Sequence, residues 1–461
     1  MSDTPAYVPG AKVAEALRHH QAGRLDEAER IYRQILALDP RHADSLHLLG
    51  MITHQTGDQE TAASLIRQAI AANGNAASYH SNLGNVLQAQ GKLREAGASY
   101  QRALLLKPDL AEAHLNLGNI FRAQGDVDSA LVCYRRALAL NPELADAAVA
   151  ESRALLLKGD FAAGWHNFER RWQTQEFDTP RRTYAQPRWG GRPLASGRVL
   201  IWGEQGIGDE IMFAGLIPDA LHTGTRCVLD CDTRLQPLFA RSFPAAEVVS
   251  GLGAARPSQE NIAAQIPSGS LPSLFRTSPE SFASTTSPYL IADPAAKATL
   301  RDRYRDGRRL VGLAWHTKNK QFGTTRSIDL SALAPLFAIP DIRWISLQYG
   351  DHRTLQSQAA AANAPLLIDT EIDQLTNIDS FAAQIAAMDL VITIDNSTAH
   401  LAGALGVPTW LLLPFAPDWR WLLGREDSLW YPGMRLFRQP APADWHSVVD
   451  RVARALTQVL S

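Results

Sequence analysis

Two stretches of this sequence combine residue types that could hold an anion beside a carboxylate. One is Asp395-Asn396-Ser397-Thr398-Ala399-His400. Its four polar residues, all of helix-capping type, stand between a β-branched run, Leu390–Ile394, and a helix of small residues, Ala399–Leu405. Gly406 and Pro408 stop that helix, and a second apolar strand, Thr409–Leu413, comes after it. Such a turn presents free backbone N–H groups and the positive end of a helix dipole at the carboxyl edge of a parallel sheet, where an anion can sit. His400, beside Ser397 and Thr398, can donate to a phosphate. The plainer alternative is an ordinary strand–helix–strand unit with a good N-cap and a structural histidine. The residues by themselves leave both open.

The other stretch is Gly203-Glu204-Gln205-Gly206-Ile207-Gly208-Asp209-Glu210, which comes after the strand Arg198–Trp202 and opens a helix expected to end near His222. Glycines at such a turn let a ligand approach the backbone closely. A dinucleotide fingerprint needs a third glycine where Ile211 stands, although Asp230, after the strand Cys227–Asp230, lies at a plausible distance for a ribose contact. No Gly-Lys-Ser/Thr follows, so this is not a phosphate loop of the Walker type.

Cations come from a third place. The turn after the strand Arg309–Trp315 holds Lys318, Lys320 and Arg326, which suit a diphosphate, and Ser327 is expected to help start a helix around 331–337. The strand Ile342–Gln348 ends at the same edge with Tyr349, and Asp379-Ser380 is expected to cap a helix from Phe381 to Ala387. Further on, Trp419 and Trp421 are not at helical core spacing. They could line a ligand or serve interdomain packing.

The segment Asp395 to Pro408 resembles the nucleotide-sugar signature of bacterial heptosyltransferase-like glycosyltransferases, the ADP-heptose:lipopolysaccharide transferase family. The resemblance implies a GT-B fold with two Rossmann-like domains and an interdomain cleft. Asp395, Asn396, Ser397, Thr398 and His400 then face a donor diphosphate, helped by Arg326, Ser327 and Lys318, and Gln348 with Tyr349 meets the nucleoside. The family usually has Thr-Gly after the Asp, where this chain has Asn396-Ser397. Small polar character is kept, while the identity of the donor is put in doubt. The run Glu204 to Asp209 is similar to the family's N-terminal loop, with Gln205, Gly206 and Gly208 near the cleft. In that family an aspartate deprotonates the acceptor hydroxyl, and the match falls on Asp209, with Glu204 as a rival. The competing structural role for Asp209 is a helix cap.

These stretches need elements to hold them, and the first of those are repeats. Gly23, Gly57, Gly91, Gly125 and Gly159 recur every 34 residues, as do Ala28, Ala62, Ala96 and Ala130, and the pairs Leu49-Gly50, Leu83-Gly84 and Leu117-Gly118. Pro40, Pro108 and Pro142 mark unit ends, with Gly74 in the missing place. Tyr32, Tyr100 and Tyr134 share one position, with Ile66 in the remaining unit. A glycine that lets helices approach, a glycine that turns the chain and an alanine that packs tightly describe a helix pair. The period resembles the tetratricopeptide repeat. Four units and a degenerate capping fifth cover residues 9–176. In the fifth, Phe161, Trp165, Phe168 and Trp172 are expected to dock the array onto the next domain. Asn82, Asn85, Asn116 and Asn119 lie on first helices, either lining a groove for an acceptor peptide or forming a solvated polar face.

The expected organisation is therefore α + α/β. A tetratricopeptide solenoid (9–176) and a Pro- and Arg-rich linker (177–197) precede a Rossmann-like acceptor-side domain (198–290) and a Rossmann-like donor-binding domain (291–461). The final amphipathic helix, from Trp445 to Leu460, would cross back to the first of these, as in GT-B folds. The formal charge of −2 over 461 residues argues against a general nucleic-acid binder, and 46% apolar with 20% charged residues suits a globular chain. No apolar run reaches the ~18 residues needed to span a bilayer. Cys133, Cys227 and Cys231 lack the company a zinc site needs, and no secretory leader is visible, so a cytoplasmic location is expected. No Asp-x-Asp triplet sits where a metal-dependent sugar transferase would place it, so no metal or other cofactor is expected. The resemblance implies an inverting transferase that uses a nucleotide-sugar donor. The repeats suggest a protein acceptor, with flagellin named by analogy. The alternatives are an inactive repeat scaffold and a glycolipid or lipopolysaccharide transferase.

Overall fold

The computed structural model describes residues 9–177, 179–251, 261–285, 287–318 and 323–460. Lys320 and part of the 250–286 loop therefore lie outside the described residues. The chain divides into two compact units, Met1–Ala154 and Leu155–Ser461.

In the first unit, helices alternate in pairs: Pro9–Gln21 with Leu25–Leu38, Ala43–Gln55 with Gln59–Ala72, Ala77–Ala89 with Leu93–Leu106, and Ala111–Ala123 with Val127–Leu140. The 34-residue pattern has a direct steric cause. A Cβ on Gly84 would lie 2.5 Å from the Tyr100 ring, one on Gly118 2.5 Å from Tyr134, and one on Gly50 2.7 Å from Ile66. The glycine of the first helix thus makes room for the large residue of the second, and the two positions are read together. The turn glycines have φ from 73° to 100°, the left-handed region that a side chain resists. Ala28, Ala62, Ala96 and Ala130 are fully buried.

The second unit contains two parallel sheets. Strands β1 (Arg198–Trp202), β2 (Cys227–Cys231), β3 (Glu247–Ser250) and β4 (Ile262–Pro267) run in the order β3-β2-β1-β4. Strands β5 (Arg309–Ala314), β6 (Ile342–Ser346), β7 (Leu366–Leu367), β8 (Leu390–Ile394), β9 (Thr409–Leu413) and β10 (Met434–Arg438) run in the order β10-β9-β8-β5-β6-β7. The register of β5 sets Val311 beside Leu390 and Ala314 beside Thr393. β8 and β9 are buried along their whole length, so their sequences are continuous apolar runs. Strand order reverses direction between β1 and β4 and between β5 and β8. In open parallel sheets, ligands bind at the carboxyl ends of strands flanking such a reversal. The loops after β1, β5 and β8 are those singled out from the sequence.

Several expected boundaries differ. The degenerate fifth unit is divided: most of its first helix, Ala145–Leu157, falls in the first compact unit, while the helix Phe161–Phe168 packs inside the second, which begins at Leu155. There Phe161 meets Phe282 with ring centroids 4.9 Å apart, and the Trp165 indole donates to the Arg276 carbonyl at 2.7 Å. The stretch expected as a linker is docked as well. Trp189 N–H donates to the Gln265 carbonyl at 2.8 Å, and Arg182 pairs with Asp230. The helix after β1 breaks into Ile207–Ala214 and Ile217–His222 around Gly215, with Pro218 in the first turn of the second piece. The helix placed at Phe381 starts earlier, at Ile378, because Asn377 accepts from Ser380 N–H and is the N-cap. Helix Trp445–Leu460 forms as expected, but Val448, Val449, Val452 and Leu456 join the core of the six-stranded sheet with Trp410, Leu412 and Phe437. Its buried face does not cross to the other sheet.

Candidate functional site

The loop after β1 and the helix after β8 meet. Helix Ser397–Ala404 begins at Asn396, whose Oδ1 accepts from Ala399 N–H at 3.3 Å and from Thr393 Oγ1 at 3.1 Å. Gly208 lies against that helix start: a Cβ there would sit 3.2 Å from His400 Cδ2 and 3.5 Å from Ser397 Cα. The crossover segment ties both helices together. Tyr289 and Leu290 N–H groups donate to the Ala404 carbonyl, each at 3.1 Å, and Tyr289 OH donates to the Ile211 carbonyl at 2.8 Å. The backbone of the first loop is itself bent for this approach, with Gln205 held at φ 64° by its N–H bond to Thr179 Oγ1.

A chain of alternating charges runs through the junction. The Asp209 carboxylate accepts from Arg420. Arg420 Nη1 also donates to Asp418 Oδ1 at 2.6 Å, and Asp418 Oδ2 accepts from Arg326 Nη2 at 3.2 Å. Arg326 Nη1 then reaches Asp395 Oδ2 at 3.0 Å, as an ion pair without hydrogen-bond geometry. Three carboxylates and two guanidiniums thus link the turn after β1 to the turn after β8. Burial pushes the Asp395 carboxyl above the usual range against the pull of Arg326. Asp418 goes the other way: burial opposes it, but Arg420 and Arg326 hold it well below that range. For Arg420, burial works against the charge, yet Asp209, Asp418 and Asp395 raise its pKa further.

His400 belongs to an aromatic cluster. Its ring stacks on Trp421 at 5.3 Å, and Nδ1 lies 2.9 Å from Tyr431 OH. Burial, then the charge of Arg420, lowers its pKa to about 3, so it is a neutral imidazole at pH 7 and offers a phosphate one hydrogen bond but no charge. Trp419 packs edge-on against Trp165 at 5.3 Å, and the Arg420 guanidinium lies 4.5 Å from the Trp419 ring centroid.

Other expected site residues have different occupations. Glu204, the rival base, is sealed in a bidentate ion pair with Arg171 (2.8 and 3.0 Å) and is 1% exposed. It anchors the helix Phe161–Phe168 region to β1. The Gln348 amide is engaged by backbone: Oε1 accepts from Trp315 and His316 N–H at 3.0 and 2.8 Å, while Nε2 donates to the His316 and Tyr349 carbonyls. Tyr349 OH donates to Thr317 Oγ1 and accepts from Lys318 N–H, both at 3.2 Å. Ser327 Oγ accepts from Thr317 N–H at 3.1 Å, so it braces the turn and does not start the next helix. These residues shape the turn after β5, and Lys318 itself is exposed. Asp209 Oδ2 faces Gly206 N–H at 3.4 Å, so the capping role is present beside the ion pair.

Arg420, Asp418, Tyr431 and Glu210 were not placed in the site from the sequence. Trp419 and Trp421, the aromatic neighbours of Arg420, were the available sign. Glu210, next to Asp209, is pushed up to about 7 by burial, and its Oε2 accepts from Asp232 N–H at 3.0 Å.

In the first unit, the groove asparagines form a ladder. Asn82 Nδ2 lies 2.8 Å from His47 Nε2, and Asn116 Nδ2 donates to Asn85 Oδ1 at 3.1 Å. Tyr100 OH donates to Asn85 Oδ1 at 2.7 Å and Tyr134 OH to Asn119 Oδ1 at 2.9 Å. Part of each amide is therefore used within the chain.

Residues 13–77 and 75–143 match tetratricopeptide repeat family models. The N-terminal helix pairs are tetratricopeptide repeats. Protein FlbA of Caulobacter vibrioides is 33% identical over 332 residues, covering 67% of this chain and 54% of FlbA. The chain thus spans about half the length of this curated relative. Among solved structures, MamA is 22% identical over 34% of this chain and 91% of its own, with a TM-score of 0.32. YrrB, described as a tetratricopeptide protein with an unusual peptide-binding site, is 21% identical over 34% of this chain and 82% of its own, with a TM-score of 0.31. Among the described residues, no helix is long and apolar enough to cross a membrane.

Proposed function

We propose that the second unit is an inverting glycosyltransferase of GT-B type that moves a sugar from a nucleotide-sugar to a hydroxyl acceptor. One observation carries this reading: a carboxylate from the turn after β1 lies within one ion-pair chain of the helix start after β8, both at strand-order reversals. In the reaction, the acceptor oxygen attacks the anomeric carbon and Asp209 takes its proton. The bond from that carbon to the diphosphate breaks, and the nucleoside diphosphate leaves. Arg326, Arg420 and the N–H groups at Ser397 and Thr398 stabilise the leaving charge, a task for which no metal is then needed. The repeats recruit a protein acceptor through the asparagine-lined face, and their peptide-binding character is the reason for preferring protein to lipid.

A transfer assay with labelled nucleotide-sugars and a lysate as acceptor source tests this. The expected result is labelled protein, absent with Asp209→Asn. Labelled glycolipid would move the acceptor from protein to lipid, and undiminished turnover by Asp209→Asn would remove that residue as the base. One observation favours a second reading, a repeat scaffold without turnover: Asp209 is engaged by Arg420. Absence of donor binding would select it.

A further inference from the structure

The ion pair that favours the scaffold reading also has a use in catalysis. Arg420 is shared between Asp209 and Asp418, and its Nε is buried with no hydrogen-bond partner. Around it the chain offers more unpaired donors at the start of helix Ser397–Ala404. Asn396 Nδ2 and Thr398 Oγ1 are buried without partners, on residues that are 8% and 0% exposed. A buried donor with no partner costs about 1–3 kcal/mol, and several at one place is an arrangement that an oxyanion would satisfy. Arg326, the other guanidinium, sits on the far side of Asp418 and touches Asp395, the residue before that N-cap.

We propose that Arg420 is a second diphosphate-binding residue that masks Asp209 until the donor arrives. This rests on the transferase reading. With the site free of an anion, Arg420 holds Asp209 in an ion pair, and the carboxylate oxygen facing the guanidinium is occupied. A diphosphate competes for the same guanidinium, and Arg420 turns from Asp209 to phosphate oxygen. Asp418 keeps its hold on Nη1 and serves as the pivot. The unmasked Asp209 then faces the acceptor only when a leaving group is in place. Such an order suppresses wasteful deprotonation. It also accounts for placing the base 211 residues away from a cation of the opposite sheet. No covalent step is added: one ion pair is exchanged for another, and charge is conserved.

The charged and titratable groups facing Arg420 are Asp209, Asp418 and Asp395, with Arg326, His400 and Tyr431 nearby. Exchange makes a prediction opposite to that of a static strut. Removing the competing carboxylate must strengthen anion binding.

Inorganic pyrophosphate binding to the full chain is measured by calorimetry for wild type, Asp209→Asn, Arg420→Gln and the double variant, with Arg420→Lys as a gentler change. Asp209→Asn is expected to tighten binding about tenfold, the lower end for a close charge pair withdrawn from water. Arg420→Gln weakens binding, Arg420→Lys weakens it less, and in the Arg420→Gln background Asp209→Asn gives less than about threefold, a residual long-range effect. If wild type binds and Asp209→Asn leaves affinity unchanged, or tightens it equally in both backgrounds, masking is overturned while the anion site stands. If neither wild type nor Asp209→Asn binds pyrophosphate, the masking and the transferase reading fall together.

Discussion

Asp418 carries the mechanical load of the charge chain, so replacing it with Asn is the most informative single perturbation of stability. Its two oxygens serve two guanidiniums, at 2.6 and 3.2 Å, and its side chain is 17% exposed. A unit-charge pair about 4 Å apart is worth roughly 4 kcal/mol at an effective dielectric of 20, before the cost of desolvation. Breaking a buried pair by removing one partner typically costs about 3–5 kcal/mol. Some of that returns here. Asp418 is one of the charges that raise Asp395, so its removal relieves a repulsion on the Asp395 carboxylate and strengthens its pair with Arg326. We expect a net loss of about 2–4 kcal/mol at pH 7, which at roughly 2–4 °C per kcal/mol lowers the melting temperature of the second unit by about 5–15 °C. Calorimetric unfolding of the full chain reads this, with Asp427→Asn, whose pair with Arg425 is largely exposed, as a control without effect. The pH dependence has a definite sign. Asp418 has a depressed folded pKa, so its stabilisation is fully present above the unfolded value of about 3.9 and is lost progressively as pH falls from there through the much lower folded value. Asp395 is raised, so it opposes folding once pH exceeds that same unfolded value. Wild type and Asp418→Asn should therefore begin to approach one another near pH 4 and converge only as pH falls well below it, toward the depressed folded value. A loss under about 1 kcal/mol at pH 7, the size seen for exposed pairs, would refute the picture of a desolvated network.

Two other predictions concern packing and one buried acid. Gly84→Ala drives a methyl to 2.5 Å from the Tyr100 ring, so overpacking of about 1–3 kcal/mol should exceed the helix-propensity gain of about 1 kcal/mol and lower stability. Gly97→Ala meets only Ile120 Cγ2 at 3.3 Å and should be neutral or slightly stabilising; chemical denaturation of the two variants, paired, checks both. Glu210 has a folded pKa raised to about 7, so wild-type stability falls as pH rises from about 4.3 through 7, by about 3–4 kcal/mol, and Glu210→Gln should flatten that slope. An equal fall in urea-derived stability from pH 5 to pH 8 in wild type and Glu210→Gln would contradict it.

How far the sequence was legible depends on the range of the interactions involved. The 34-residue period could be read because its cause is local: Gly84 and Tyr100 are one helix apart, and each unit repeats the same steric fit. The strand and helix around Asp395 could be read because a fully buried parallel strand has little choice but Leu, Val and Ile, and because Asn396 caps within three residues. Arg420 was not legible as a partner of Asp209, since nothing in a sequence registers an ion pair across 211 positions. Gln348 and Ser327 stand at the expected sheet edge, but a polar side chain there can serve backbone or ligand, and here their bonds go to the turn after β5. Glu204 has the type and place of a catalytic carboxylate, but Arg171, on the far side of the linker, claims it. The docking of the Phe161–Phe168 aromatics could be read because large apolar rings in a capping repeat need a second core, and Phe161 meets Phe282 and Trp165 meets Trp419.

The central claim is that this junction holds a nucleotide-sugar, and a thermal-shift and calorimetric screen of the full chain against UDP, GDP, ADP, dTDP and CMP sugars tests it most directly. A ligand that binds only the folded state raises the melting temperature, by about 2.7 kcal/mol of stability at a hundredfold excess over its dissociation constant. One clear nucleotide class is expected, with the shift lost in Arg326→Ala and reduced in His400→Ala. No shift with any nucleotide-sugar would contradict the claim and leave the repeats as the working part of the molecule.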